Sequence, residues 1–497
     1  MSTTAHWQAW RFEVLNFTPR SQGDSLSSKS TNSYVEAWPP APQGRRPATD
    51  QIHAGTAQQL PAHPVRPPLY LSAAYEFGTL AQARETFAQR QAGYTYSRTG
   101  NPTVALLERR IAALENGVGA VATSSGQAAV TLTVLALAGR SSQSPDGKPH
   151  PNITAGHVVA SNRIYGGTAD LLNDTLAEAG IEVTWVDPHS PAEWEAAVTD
   201  RTRVFLLESI GNPHADLPDI PALAAIANRE GVALVVDNTL ATPYLVQPGK
   251  LGAHVVVHSA TKYLIGNGTC LAGAIVDTGQ LSPSQHPERW PQLTATRRRF
   301  GDQSLVEGFG DDGALLHLVR AQLLNDLGPT LSAWNAQQVL DGIETLDLRM
   351  QRHCVNAEAL AQRLDRHPAV RQVRHPSLAH SPDHQLAKRD YPHGTGAVLS
   401  LELDTDIAGV ERFFDALELI KLAANLGDSR SMAVHPASTT HCRLTPELQR
   451  AGEINEQTIR LAVGREDVDD LWEDLDTALR YAVPTSLAVV GSEVSVS

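Results

Sequence analysis

Cysteine is nearly absent: three residues in 497, Cys270, Cys354 and Cys442, lie far apart with no C-x-x-C pair. That spacing excludes a disulfide framework and a local thiolate zinc site, and makes a reducing, cytoplasmic setting the expectation. Long apolar runs are missing as well. No stretch approaches the roughly 18 residues of a membrane span, and Met1 to Ala9 lacks the basic start and apolar core of a secretory signal. There is no basic excess; a net charge of -14 leaves no general face for nucleic-acid phosphates. Histidines do cluster at His375, His380 and His384, but Pro376 and Pro382 interleave them. The expectation there is a solvated loop with no metal bound.

What is present is an alternation of short β-branched runs and helical periods. His157-Val158-Val159-Ala160 precedes a helical period from Ala169 to Ala179, and Val183 to Val186 precedes Ala192 to Val198. Val204 to Leu207, a helix from Ile220 to Asn228, Ala233 to Val236 and Val255 to Val257 follow. Near-continuous apolar strands separated by amphipathic helices predict an α/β fold with a parallel sheet covered on both faces. In such sheets, functional residues occupy the loops at the carboxyl ends of strands. From about residue 314 long helical periods take over. Strand-like Ala397 to Leu401 and Arg460 to Val463 then lead to a closing helix from Val468 to Tyr481, which predicts a smaller C-terminal α/β domain.

The expected organisation is a flexible extension over residues 1–49, an arm over 50–111, a large domain over 112–330, a small domain over 331–482 and a tail over 483–497. The polar, proline-bearing stretches 141–154 and 281–299 are expected to be surface insertions.

Lys262 follows the apolar run Val255-Val256-Val257 in His258-Ser259-Ala260-Thr261-Lys262, ahead of the glycine-bearing Gly266-Asn267-Gly268. A lysine at the end of a buried strand loses charge readily and becomes a nucleophile for aldehydes, the chemistry that holds pyridoxal 5'-phosphate (PLP) as a Schiff base. Asp237, after the most apolar strand, can keep the pyridinium nitrogen of such a cofactor protonated; alone it would read as the start of a turn. Ser124-Ser125-Gly126-Gln127 opens an apolar helix, either as a plain N-cap or as a phosphate site. Tyr165, in Ile164-Tyr165-Gly166-Gly167, can stack on a ring or sit half-buried in the core. Tyr96 and Arg98 precede the helix from Val104 to Leu114, as a phosphate contact or a capping turn.

With these motifs in place, the chain resembles the Cys/Met-metabolism family of PLP enzymes over about residues 50 to 482. Within it, Gln127 after Gly126, the segment Arg320 to Gly328, Asn425-Leu426-Gly427-Asp428-Ser429-Arg430-Ser431 and His435-Pro436-Ala437-Ser438 look like the O-acetylhomoserine sulfhydrylase branch. His254 and Asn267 depart from the family pattern, which has Asp and His or Gln there. The resemblance implies the fold type I architecture, with a mostly parallel seven-stranded sheet. It also implies roles: Lys262 holds PLP, Asp237 pairs with the ring nitrogen, Tyr165 stacks and serves as a candidate acid, and Gly126, Gln127, Ser259 and Thr261 hold the phosphate. Arg460, Asn212 and Asn425 would bind substrate. Tyr96 and Arg98 would reach a neighbouring subunit's phosphate, implying a homotetramer of site-sharing dimers. The implied reaction is γ-replacement on O-acetyl-L-homoserine by sulfide or a thiol, with Lys262 moving protons. Rival readings are a cystathionine γ-synthase or γ-lyase on the same machinery, a nucleotide-binding α/β protein, and an inactive scaffold.

Overall fold

The computed structural model describes residues 45–56, 64–88, 91–140 and 155–483. The β-branched runs form strands β1 (Gly119–Thr123), β2 (His157–Ser161), β3 (Glu182–Val186), β4 (Thr202–Glu208), β5 (Ala233–Asp237), β6 (Val255–His258) and β7 (Gly273–Asp277). They make one sheet in the order β1-β7-β6-β5-β4-β2-β3. Pairing from β3 to β6 is parallel, whereas β7 runs antiparallel to both β6 and β1. β6 is buried along its whole length and β5 up to half-buried Asp237 at its end, as expected where helices cover both faces.

A second sheet holds β8 (Val370–Arg374), β9 (Val398–Leu403), β10 (Lys421–Leu422), β11 (Met432–Val434) and β12 (Thr458–Ala462), in the order β10-β11-β12-β9-β8. One apolar cluster joins the two sheets. It runs from Val256 and Tyr263 through Met350 and Leu360, on the helix Leu346–Leu364, to Leu401 and Ile459. Whatever lies between the sheets is therefore held by a continuous core.

Three expectations change. The stretch 281–299 is no surface insertion: Trp290 and Leu293 are buried in the core beneath the first sheet, and Gln292 donates to the Leu137 carbonyl at 2.7 Å. Its prolines begin short helical turns at Pro283–Gln285 and Pro291–Thr294, where a missing N–H costs nothing. Residues Pro47 to Thr49, expected within the N-terminal extension, belong instead to the helix Pro47–His53. Gln51 from that helix donates to Asp347 at 2.5 Å. Residues 1–44, the insertion 141–154 and the tail beyond Val483 lie outside the described residues. His375 also departs from expectation; it is buried, with Nδ1 2.7 Å from the Ser377 hydroxyl. Among the described residues no helix is long and apolar enough to cross a membrane.

Candidate active site

The parallel register sets the carboxyl ends of three strands side by side. Glu208 closes β4 opposite Asp237, and Asp237 closes β5 opposite Val257 of β6. The chain leaving β6 turns at once into the lysine loop.

Backbone bonds build that turn. The Lys262 N–H donates to the Ser259 carbonyl at 3.2 Å, and the Gly266 N–H to the Lys262 carbonyl at 2.8 Å. The Thr261 hydroxyl donates to the Ala272 carbonyl at 3.1 Å and accepts from the Ala272 N–H at 3.0 Å, stapling the turn across to the approach of β7. Buried Arg349 closes the other side. Its Nη1 donates to the Tyr263 carbonyl at 2.6 Å, and its Nη2 to those of Gly342 at 2.6 Å and Leu264 at 3.2 Å. Burial pushes this guanidinium down to about 10.

Lys262 Nζ donates to the Asn425 side-chain oxygen at 2.5 Å and, among the described residues, forms no ion pair. Burial first, and then the charge of Arg460, push its pKa down to about 8, so a useful fraction is the free amine near neutral pH. Arg460, buried on β12, donates from Nη1 to the Asn212 side-chain oxygen at 3.2 Å and from Nη2 to the Asn425 carbonyl at 3.0 Å. Its Nε has no partner. Desolvation holds this guanidinium down at about 10, offset by the nearby Tyr263, Tyr165 and Glu208.

Asp237 accepts the Thr239 N–H at 3.0 Å, and burial raises its pKa. Next to it, Glu208 accepts the Tyr165 N–H at 2.8 Å. Burial, and then the charge of Asp237, drive Glu208 well above the ordinary carboxylate range.

The helix Gly126–Ala138 starts against this cluster, with the Ser125 hydroxyl accepting the Ala128 N–H at 3.1 Å. Its first backbone N–H groups have no partner inside the helix. Gly126 is required by closeness: a Cβ there would lie 2.4 Å from the Ser259 Cβ. Gln127 Nε2 donates to the Gly167 carbonyl at 2.9 Å, and a Cβ at Gly167 would lie 2.5 Å from the Tyr165 ring, which is itself 44% exposed.

The structure thus brings together Lys262, Asp237, Tyr165, Gly126, Gln127, Ser259, Thr261, Arg460, Asn212 and Asn425. Thr261 differs from expectation in one respect: its single hydroxyl proton already goes to Ala272. Tyr96 and Arg98 stand apart from this cluster within the chain. Both are exposed, the Arg98 guanidinium lies 5.2 Å from the Tyr96 ring centroid, and Arg98 Nε donates to the Asn325 carbonyl at 3.1 Å. His254, off the family pattern, is a buried structural residue whose Nδ1 accepts the Leu234 N–H at 2.9 Å. Two site residues escaped the sequence reading. Glu208 was signalled by a carboxylate at a strand end like that of Asp237; Arg349 carried no signal beyond a charge inside an apolar helical period.

The residues present fit PLP. There is an uncharged-prone amine without a carboxylate partner, a half-buried carboxylate at the adjoining strand end, and a helix start pressed so close to Ser259 that a side chain on Gly126 would fill the space. Comparison with known proteins agrees. The sequence model of the "Cys/Met metabolism PLP-dependent enzyme" family matches residues 48–480. The chain is 38% identical over 454 residues to an O-acetyl-L-homoserine sulfhydrylase of Leptospira meyeri, covering 88% of this chain and 98% of that one. It is 41% identical over 436 residues to the O-acetyl-L-homoserine sulfhydrylase of Corynebacterium glutamicum, covering 86% of this chain and 95% of the relative. Among solved structures it superposes on a putative O-acetylhomoserine (thiol)-lyase of Campylobacter jejuni that carries a pyridoxyl-lysine monophosphate. That match has a TM-score of 0.81 and 33% identity, covering 88% of this chain and all of the other. Amine, carboxylate and helix start therefore lie on a chain that belongs to the Cys/Met metabolism family of PLP-dependent enzymes.

Proposed function

We propose that the chain catalyses γ-replacement on O-acetyl-L-homoserine, with sulfide as the incoming nucleophile and L-homocysteine and acetate as products. The observation that carries this reading is the single line of contacts from Lys262 through Asn425 to Arg460. It sets a partly uncharged amine at a fixed distance from a cation suited to an amino-acid carboxylate.

Bound PLP supplies an electron sink for charge developing on the substrate's carbon chain. The protein does the rest. Arg460 and Asn212 hold the substrate carboxylate. The Lys262 amine would remove a proton from Cα and one from Cβ as acetate leaves Cγ, and would return both once hydrosulfide has formed the C–S bond at Cγ. Asp237 would pair with the ring nitrogen and keep it protonated, and Tyr165 would stack on the ring and serve as a candidate acid. Ser259, Gly126 and Gln127 would receive the phosphate; Thr261, whose N–H and hydroxyl both go to the Ala272 carbonyl, would shape the turn that presents Ser259 and Lys262.

Tyr96 and Arg98 complete the phosphate site of a neighbouring copy in a dimer, two of which form a tetramer. The arm that carries them supports this, since Leu71, Leu80 and Phe87 are each at least 67% exposed in the single chain. Residues 112–330 and 331–482 act as the large and small domains on either side of the cleft.

The test is product analysis of the purified protein with PLP and O-acetyl-L-homoserine, with sulfide, with cysteine and with no thiol. Homocysteine formed only with sulfide supports the proposal. Cystathionine with cysteine, or 2-oxobutyrate without thiol, would assign a sister reaction.

A further inference from the structure

One side chain at the start of the phosphate-side helix reaches across to a different loop. Gln127 is the second residue of the helix Gly126–Ala138, where its carbonyl accepts the Thr131 hydroxyl at 2.8 Å. Its N–H has no partner inside the helix and remains for the phosphate. The side chain goes elsewhere: Nε2 donates to the Gly167 carbonyl at 2.9 Å. That carbonyl also accepts the Leu171 N–H, which closes the short helix Gly166–Asp170.

Gly167 is what the Tyr165 ring rests on. A Cβ at Gly167 would lie 2.5 Å from Cε1, 2.9 Å from Cζ and 3.1 Å from the hydroxyl oxygen of Tyr165, so no side chain fits between the two residues. Among the described residues the Tyr165 hydroxyl makes no hydrogen bond, and the residue is 44% exposed. The height of the tyrosine ring therefore depends on the backbone beneath it. Two further contacts pin that loop: the Tyr165 N–H donates to Glu208 at 2.8 Å, and Gly166 has no room for a Cβ beside the Thr440 carbonyl. Gln127 is the tie to the phosphate-side helix.

We infer that Gln127 is a positioning residue for Tyr165: its side-chain amide sets the tyrosine ring through Gly167, and so places the Tyr165 hydroxyl for the reaction. The inference rests on the reading of Tyr165 given above and deepens it. Sheet topology makes such a tie necessary. The helix start follows β1 and the tyrosine loop follows β2, and these strands stand apart in the order β1-β7-β6-β5-β4-β2-β3, so no ladder hydrogen bond fixes one loop against the other. A hydroxyl that gives a proton to departing acetate has to meet it at hydrogen-bond distance, and a small displacement of such a group costs rate even when the substrate still binds. The N–H of Gln127 thus serves the phosphate while its side chain serves the tyrosine.

The experiment is a double-mutant cycle on the holoenzyme saturated with PLP, read by steady-state kinetics with O-acetyl-L-homoserine and sulfide, together with the PLP dissociation constant of each variant. Gln127→Met keeps the length and the N–H but removes the donor. Its kcat falls roughly three- to tenfold, the weight of one neutral hydrogen bond, while KM and PLP affinity stay at wild-type values. Gln127→Ala, the second variant should the first fail to fold, does the same. In a Tyr165→Phe background neither substitution lowers kcat further. Losses that multiply in the double variant, or an unchanged kcat in Gln127→Met, would overturn the inference. So would a rise in the PLP dissociation constant that accounts for the whole loss, since the side chain would then be a phosphate ligand. A wild type that forms no homocysteine, or a Tyr165→Phe variant with wild-type kcat, would instead sink the reading of the site, and this inference with it.

Discussion

Lys262 donates to the Asn425 side-chain oxygen at 2.5 Å, while the backbone carbonyl of the same Asn425 accepts from Arg460 at 3.0 Å. Nucleophile and carboxylate binder are thus spaced by one residue of the loop between β10 and β11. They are also coupled electrically, because Arg460 adds to burial in discouraging the charged form of Lys262.

That coupling predicts a pH dependence. A lysine with its pKa pushed down to about 8 gains free amine as pH rises through that value. Stopped-flow capture of PLP by the apoenzyme should accelerate with a midpoint near pH 8 and level off above it. Arg460→Gln removes the second cause of the depression, so its midpoint should lie higher; an unshifted midpoint would remove Arg460 from the account. Lys262→Ala should abolish both capture and turnover.

Arg460→Ala should act mainly on substrate binding. A charged hydrogen bond to a carboxylate contributes about 1.5–3 kcal/mol, which corresponds to roughly a tenfold to hundredfold loss of kcat/KM, carried chiefly by KM. Steady-state kinetics with O-acetyl-L-homoserine decides this; a loss confined to kcat would give Arg460 a different task.

Much of the site was legible because parallel sheets announce it. Apolar runs end in polar residues, and the chemistry collects at those ends, which is how Asp237, Ser259 and Lys262 stand out. Side chains that act from afar were not legible. Arg349 reaches the lysine turn from another helix, and Glu115 reaches His258 across 143 positions of sequence. Neither carries a local pattern. The stretch 281–299 misled because its polar, proline-bearing composition reads as surface, while one tryptophan in it anchors the core.

Gly427 offers a controlled test of the loop that carries Asn425. Its φ is +73°, and a Cβ would lie 2.6 Å from the Tyr263 nitrogen and 2.7 Å from the Lys262 carbonyl carbon. Gly301 has a φ of +75° with nothing within 4 Å. Gly427→Ala and Gly301→Ala share the left-handed backbone penalty of about 1–2 kcal/mol. Only Gly427→Ala should also displace the Lys262 turn, lowering kcat and PLP affinity; equal kinetics in the two variants would contradict the close contact.

Trp290 is 1% exposed in the core beneath the first sheet. Trp290→Ala should cost about 3–5 kcal/mol, a typical penalty for emptying a buried aromatic site. Urea unfolding measures this. A loss under about 1 kcal/mol would return the segment to the surface.

The last prediction concerns the junction of the sheets away from the lysine. His189, after β3, has Nε2 2.9 Å from Asp383 and Nδ1 3.3 Å from Asp187. The hydrogen bond to Asp383 leads the causes that raise its pKa above the ordinary 6.5, with burial opposing and Asp216 assisting. Asp383 also accepts the Leu217 N–H at 3.1 Å, five residues beyond Asn212, so the contact braces the loop that holds Arg460. A histidine whose folded pKa is raised contributes its full stability below the unfolded value, and that contribution is lost as pH rises through the folded one. The melting-temperature deficit of His189→Gln relative to wild type should therefore be largest near pH 6 and shrink toward pH 9. A deficit that is constant with pH would mean that His189 contributes by packing and not by charge.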